Sequence, residues 1–226
     1  MESLDLLANN VANASTGGYK ADREFYSLYA APEADSESTM PVIERPWVDW
    51  SQGLIRSTGN QLDVALSGRG FFAVTGPNGP LYTRNGSFQL AADGRLVTSE
   101  GYPVRGAAGA PLVLSDGRSI DIAHDGTIRQ EGAVIGKLEL VDFTSAEGVA
   151  KHGNNYFRAT DPSVRPAPLS GTPVEQGKLE ASNTGSAEAA VRLVSVMRQF
   201  EMLQKAATLG AEMNRQAIEQ VARVGN

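Results

Sequence analysis

The 226-residue chain contains no cysteine. That absence excludes disulfides, thiolate catalysis and cysteine-held zinc or iron–sulfur groups. Histidine is nearly absent too, with only His124 and His152, and neither has a second histidine at metal-ligand spacing. No apolar run approaches the ~18 residues of a membrane span. Met1-Glu2-Ser3-Leu4-Asp5 offers neither a basic start nor an apolar stretch of the kind a secretory signal carries. Export, if it occurs, is expected to use another route. Basic residues number 20 against 26 acidic ones, a formal net charge of −6. A general nucleic-acid binder needs a basic face, and so does a protein that sits on anionic lipid, so neither partner is expected. No cofactor is expected either.

What is present falls into three textures. Glu2 to Asn13 reads as a short helix, with Leu4, Leu7, Ala8 and Val11 on one face and Gly17-Gly18 closing it. About three turns are marginal alone in water, so this helix must dock against something. Thr16 to Trp50 shows no sustained period. Three prolines and the polar run Glu33 to Thr39 read as an extended connector, with Trp47 and Trp50 as staples to a neighbouring domain.

From Ser51 to about Glu180, apolar runs of four to six residues alternate with turn dipeptides. Asn78-Gly79, Asn85-Gly86, Asp93-Gly94, Asp116-Gly117 and Asp125-Gly126 favour tight turns, because both residues tolerate positive φ. Short strands between frequent turns mean an all-β antiparallel domain.

Ala187 to Val224 contains no proline and a single glycine. Leu193, Val196, Phe200, Leu203, Ala207, Gly210, Asn214, Ala217, Val221 and Val224 follow a three–four alternation, the spacing of a coiled-coil seam. Glu188–Arg192, Glu201–Lys205 and Glu219–Arg223 form i,i+4 pairs with the acid first, the better orientation. The expected fold class is α+β: an all-β antiparallel domain inserted between N- and C-terminal helices that pack as a coiled-coil-like helical assembly domain. The expected bounds are 1–20 for the N-terminal helix, 21–50 for the connector, 51–182 for the β-domain and 183–226 for the long helix. Three turns of N-terminal helix cannot cover ten turns of C-terminal seam. Other subunits, a missing stretch of N-terminal helix, or both are expected to supply the cover.

Catalytic sets are weak. Asp121 and Asp125 flank His124, but Asp125-Gly126 is explained as a turn and Asp121 alternates with Ile120 and Ile122 as a solvent-facing strand residue. Gly68-Arg69-Gly70 lacks the third glycine and the helix of a phosphate loop. The candidate functional residues are therefore those of an assembly interface: Leu4, Leu7, Asn9, Asn10, Val11 and Asn13 in the first helix, and Leu193, Val196, Phe200, Leu203, Ala207, Asn214 and Val221 in the second. The asparagines read either as helix-end caps or as interface amides that fix register. Two other readings stay open. A secreted β-rich hydrolase or carbohydrate-binding module with an oligomerisation helix needs a cleft with two carboxylates ~5–9 Å apart. A soluble coiled-coil adaptor needs small closed oligomers.

Several stretches carry a family resemblance. Leu4-Asp5, Ala8-Asn9-Asn10-Val11-Ala12-Asn13 and Thr16-Gly17-Gly18-Tyr19-Lys20 resemble the N-terminal signature of bacterial flagellar rod and hook proteins. So do Gln52-Gly53, Thr58-Gly59-Asn60-Gln61-Leu62-Asp63-Val64-Ala65-Leu66 and Gly70-Phe71-Phe72. Tyr82-Thr83-Arg84-Asn85-Gly86-Ser87-Phe88, Asp93-Gly94-Arg95-Leu96-Val97 and Leu179-Glu180-Ala181-Ser182-Asn183 continue the match in order. Length and Arg198-Gln199-Phe200-Glu201 are most similar to the proximal rod members, with the distal rod next. Thr184-Gly185-Ser186 departs from the usual valine-containing triplet, and the helical turns that normally precede the Leu4-Asp5 motif are missing. The resemblance implies a non-enzymatic axial subunit that stacks into a hollow shaft across the periplasm. Its terminal helices would line the tube and its β-domain would face outward. Its implied partners are copies of itself, other rod and hook axial proteins and the flagellar type III export apparatus, which takes it without a cleaved signal.

Overall fold

The computed structural model describes residues 2–30, 39–115, 117–143, 148–153, 155–161, 164–169 and 171–224. Two helices bracket a mostly antiparallel β-structure: α1 (Glu2–Ala12) and α2 (Ser186–Val224). Both lie where the apolar spacing places them. The stretch read as a connector contains two paired strands, β1 (Asp22–Ala30) and β2 (Thr39–Val48), an antiparallel ribbon with one register shift between Phe25 and Tyr26. Extended backbone was legible there, but the pairing was not. The prolines at 41 and 46 argue against a central strand, whereas a two-stranded ribbon has only edges and tolerates them.

The β-domain proper is built around a six-stranded sheet. Its spatial order is Val149–His152, Tyr156–Ala159, Gly79–Thr83, Phe71–Gly76, Leu140–Asp142 and Ala167–Pro168. Phe71–Gly76 and Gly79–Thr83 form a hairpin whose turn contains Asn78 and Gly79, and Gly79 takes the positive φ that this dipeptide favours. Residues 71–74 of strand Phe71–Gly76 are apolar without alternation because both faces of this part of the strand are buried. Phe72 and Val74 enter the larger core with Val64, Leu66, Phe88, Leu96, Val104 and Ile128. Phe71 and Ala73 enter a second cluster with Tyr82, Val141, Phe143 and Phe157.

Trp50 caps that second cluster. Its ring lies 4.7 Å from Phe157 and 5.5 Å, edge-on, from Phe71. This is the staple expected of the segment before the β-domain. Trp47 is not part of it, being 48% exposed. The chain leaves the β-domain by the short strand Lys178–Glu180, which pairs antiparallel with Ile55–Ser57. Entry and exit are therefore adjacent, and this places α1 beside the start of α2.

The two helices do not form a coiled coil along their length. α1 ends at Ala12, one residue before the expected Asn13, and residues 13–20 are a turn-rich link that contains the closing glycines. α1 packs on the first turns of α2, where Leu7 and Ala189 are buried. Leu193 and Val196 are half-buried, and from Met197 to Gln216 every residue of α2 is exposed. The reason is length. At ~1.5 Å per residue, α1 spans ~16 Å against ~58 Å for α2.

Candidate assembly interface and its junction

The residues quoted as signature motifs converge in space on Glu180. Lys20 Nζ donates to Glu180 Oε1 at 2.6 Å and to the Ser51 carbonyl at 2.7 Å. Arg84 Nη1 donates to Glu180 Oε2 at 3.2 Å, and Nη2 donates to the Gly68 carbonyl at 2.6 Å. The Gly53 amide also donates to Glu180 Oε1, at 2.8 Å. The Lys20 and Glu180 side chains are 1% and 0% exposed. One carboxylate thus neutralises two buried cations drawn from the N-terminal link and the β-domain. Burial pulls both Lys20 and Arg84 below the usual range of their type, and the Glu180 carboxylate opposes the shift in each case. The Arg84 guanidinium also stands over the Phe71 ring at 5.4 Å, while its Nε–H has no hydrogen-bond acceptor.

Two glycines let the backbone close around this group. Gly18 has φ +68°, and a Cβ there would stand 2.4 Å from the carbonyl carbon of Arg84. A Cβ on Gly53 would meet the Ala181 carbonyl oxygen at 2.0 Å. Gly18 N–H donates to the Glu180 carbonyl at 2.7 Å, so the chain's entry is tied directly to its exit.

Asparagines complete the junction. Asn183 Oδ1 accepts from the Ala21 amide at 2.7 Å, and its Nδ2 donates to the Asp49 carbonyl at 2.7 Å. Asn10 Nδ2 donates to the Asp22 carbonyl, and its Oδ1 accepts from the Asp22 amide and the Tyr19 hydroxyl. Asn13 is buried and donates to Asn9 Oδ1 at 2.7 Å, while Asn9 is exposed. In this chain, then, Asn10 spends its amide on tertiary contacts to Tyr19 and Asp22, and Asn13 caps the end of α1 by donating to the Asn9 carbonyl at 3.0 Å. Lys151 reaches in from the β-domain, donating to Asp22 Oδ2 at 2.6 Å with its Nζ 4.3 Å from the Tyr19 ring centre. Burial works against ionisation of Asp49. Hydrogen bonds from Ser51 and Arg23 outweigh it and hold the carboxyl below the usual aspartate range.

The remaining candidate residues divide by burial. Leu7 is buried, and Leu4, Val11, Leu193 and Val196 are half-buried. Phe200, Leu203, Ala207 and Asn214 are exposed. The Val221 side chain lies outside the described residues. The sequence reading missed Lys20, Arg84, Glu180 and Asn183 as functional residues, although each stands in a quoted motif. The available signal was slight: Lys20, Arg84 and Glu180 each stand two or three residues from a glycine, in Gly18-Tyr19-Lys20, Arg84-Asn85-Gly86 and Gly177-Lys178-Leu179-Glu180.

Other chemistry is sparse. His124 Nδ1 lies 3.1 Å from the Val174 carbonyl, and Asp125 accepts from Thr127 in a local turn and from Lys137. A cleft of about 200 Å³ is lined by Trp50, Phe71, Phe143 and Val149, with Arg69 and Asp142 at its side. It holds one carboxylate, and Arg69 already pairs with it at 3.3 Å. That is not the two-carboxylate cleft of a glycosidase. Among the described residues no helix is long and apolar enough to cross a membrane.

Comparison with known proteins agrees with this arrangement. A family described as the flagellar hook protein FlgE/F/G D1 domain matches residues 65–130, within the β-domain. A second, described as the flagellar basal body rod FlgEFG protein C-terminal, matches residues 175–220, from the last strands through most of α2. The flagellar basal-body rod protein FlgF of Caulobacter vibrioides is 31% identical, over 98% of this chain and 92% of that protein. The rod protein FlgG of Buchnera aphidicola subsp. Acyrthosiphon pisum is 32% identical, over 93% and 91%. FlgF of Escherichia coli K12 is 37% identical, over 88% and 84%. These likenesses define first a class, the structural proteins of the bacterial flagellum. More narrowly, the chain belongs to the flagellar basal-body rod protein family, whose members are structural rod subunits.

Proposed function

We propose that this rod subunit occupies the proximal part of the rod and assembles through its terminal helices. In this reading α1 and α2 build the wall of a hollow shaft, with Leu4, Leu7, Asn9, Asn10, Val11 and Asn13 on one helix. Leu193, Val196, Phe200, Leu203, Ala207, Asn214 and Val221 stand on the other. The β-domain lies outside that wall. Its partners are further copies of the same chain and the neighbouring rod and hook axial proteins. It reaches the periplasm through the flagellar type III export apparatus, without a cleaved signal, and carries out no catalysis.

The observation that carries the proposal is the apolar seam of α2, whose large side chains Phe200 and Leu203 stand exposed together with Met197, Met202, Leu209 and Met213 on a helix that no described part of this chain covers between residues 197 and 216. Large exposed apolar side chains in register are costly for a monomer and mark a surface that another chain covers. The junction around Glu180 supports the same reading, because a shaft that transmits torque needs its helical wall tied firmly to the outer domain. Deletion of the gene is expected to abolish motility and leave basal bodies without a complete rod. Basal bodies purified from a complemented strain are expected to contain the chain, as read by mass spectrometry. A motile deletion strain with complete rods contradicts the proposal.

A further inference from the structure

A second cleft, of about 310 Å³, opens where the link after α1 meets two turns of the β-domain. Thr16 comes from the link, and Glu100 and Tyr102 follow the strand Leu96–Thr98. His152, Asn155 and Tyr156 come from the strands Val149–His152 and Tyr156–Ala159 and the turn between them. The volume stands at the lower end of the ~300–1,000 Å³ of small-molecule sites.

The walls mix aromatic rings with hydrogen-bonding groups. The Tyr102 and Tyr156 rings stand edge to face, 5.3 Å apart. The Tyr156 hydroxyl donates to Glu100 Oε2 and lies 2.8 Å from Thr98 Oγ1. Burial works against ionisation of Glu100, but hydrogen bonds, led by that hydroxyl, outweigh it and hold the carboxyl below the usual glutamate range. An ionised carboxylate accepts several hydrogen bonds, so Glu100 has capacity for a guest. Asn155 is 7% exposed, and its backbone carbonyl is fixed by the Thr83 hydroxyl at 2.8 Å. Its Oδ1, however, has no hydrogen-bond partner among the described residues. A buried acceptor without a donor is costly and calls for one. The amide can turn about its last torsion without moving the backbone.

These groups select a guest by elimination. No lysine or arginine is among the described residues that line the cleft, and the neighbouring Lys151 is held by Asp22 and the Tyr19 ring. A phosphate or carboxylate guest would meet Glu100 with no opposite charge to offset the repulsion. A wholly apolar guest would leave Glu100 and Asn155 without donors. A neutral polyhydroxylated ring meets both demands, with hydroxyls for the acceptors and a C–H face for an aromatic ring. We propose that this cleft binds a neutral pyranose sugar, stacked on Tyr102, with hydroxyls donated to Glu100 and a hydroxyl or amide hydrogen donated to Asn155 Oδ1. Thr16 and His152 add a hydroxyl and a ring nitrogen at the rim. The site lies within one chain and does not depend on the α2 seam.

NMR titration of the purified chain with N-acetylglucosamine tests this, since that neutral ring carries both hydroxyl and amide donors. Saturable shifts confined to Tyr102, Tyr156 and their neighbours are expected, and inorganic phosphate or free arginine at the same concentration is expected to leave both rings unmoved. The β-linked trimer of the same sugar tells the sources apart: tighter binding than the monomer marks a residue within a glycan, and weaker binding a free sugar. Tyr102→Leu is expected to weaken binding roughly tenfold, the worth of one aromatic contact. Asn155→Leu is expected to abolish binding while the thermal midpoint holds or rises, because an unpartnered amide is removed. No shifts with the sugar, shifts with phosphate or arginine instead, or undiminished sugar binding in both variants overturns the inference. A midpoint several degrees lower in Asn155→Leu shows that the amide serves the fold, and that result overturns it as well.

Discussion

Replacing Glu180 by alanine is expected to lower the thermal midpoint by roughly 10 °C. The substitution strands Lys20 and Arg84, two buried cations, with backbone carbonyls as their remaining partners. Removing one partner of a buried ion pair costs about 3–5 kcal/mol, since the desolvation cost stays after the attraction is gone. For a protein of this size each kcal/mol moves the midpoint by ~2–4 °C. Glu180→Gln separates charge from shape: its amide oxygen can still accept from Gly53, and most of the loss is expected to persist. Lys20→Met is expected to cost less, because Glu180 keeps Arg84 and the Gly53 amide. Calorimetry of the three variants checks the order. A Glu180→Ala midpoint within 2 °C of the parent contradicts the role given to this carboxylate.

Phe200→Asp is expected to do the reverse, with no change in melting and complete loss of assembly. Phe200 is 40% exposed in the single chain, so a carboxylate there remains hydrated. Once another helix covers the seam, the same carboxylate becomes an unpaired buried charge, which is far more costly than a missing ring. Phe200→Ala is the milder form, at about 3–5 kcal/mol if the ring is fully enclosed in the rod. The expected readout for Phe200→Asp is a folded, exported, non-motile phenotype with the chain absent from purified basal bodies. Normal motility removes the seam from the mechanism. A collapsed midpoint shows instead that Phe200 belongs to the intrachain core.

Both variants act on features that differ in how far the sequence reveals them. The α2 seam is a local periodic signal, legible from ten residues at three–four spacing, and the helix runs where that spacing places it. The strands of the β-domain were legible for a similar reason, since apolar runs and Asn-Gly or Asp-Gly turns are local. The Glu180 junction is not local. Lys20 and Glu180 are 160 residues apart, and no period or dipeptide links them. The motifs marked these positions as belonging to a family without saying that they meet. The β1–β2 ribbon escaped because its prolines and polar residues imitate a connector. Asn10 and Asn13 had two readings from sequence, cap or interface. Asn13 takes the cap reading, donating to the Asn9 carbonyl and Oδ1 at the end of α1, whereas Asn10 stands in a third setting, the buried link between α1, Tyr19 and the start of β1.

The division of labour between junction and seam is tested most directly by hydrogen exchange along α2, measured on the monomer and on purified rods. In the monomer, amides from about residue 198 to 216 are expected to exchange at least a hundredfold faster than those of Phe71–Gly76 and Gly79–Thr83, because no other chain covers them. The amides of Gly18 and Ala21, held by Glu180 and Asn183, are expected to be protected along with the β-domain. In rods, the 198–216 segment is expected to become as slow as the β-core. Equal protection of that segment in monomer and rod contradicts an interchain seam on α2.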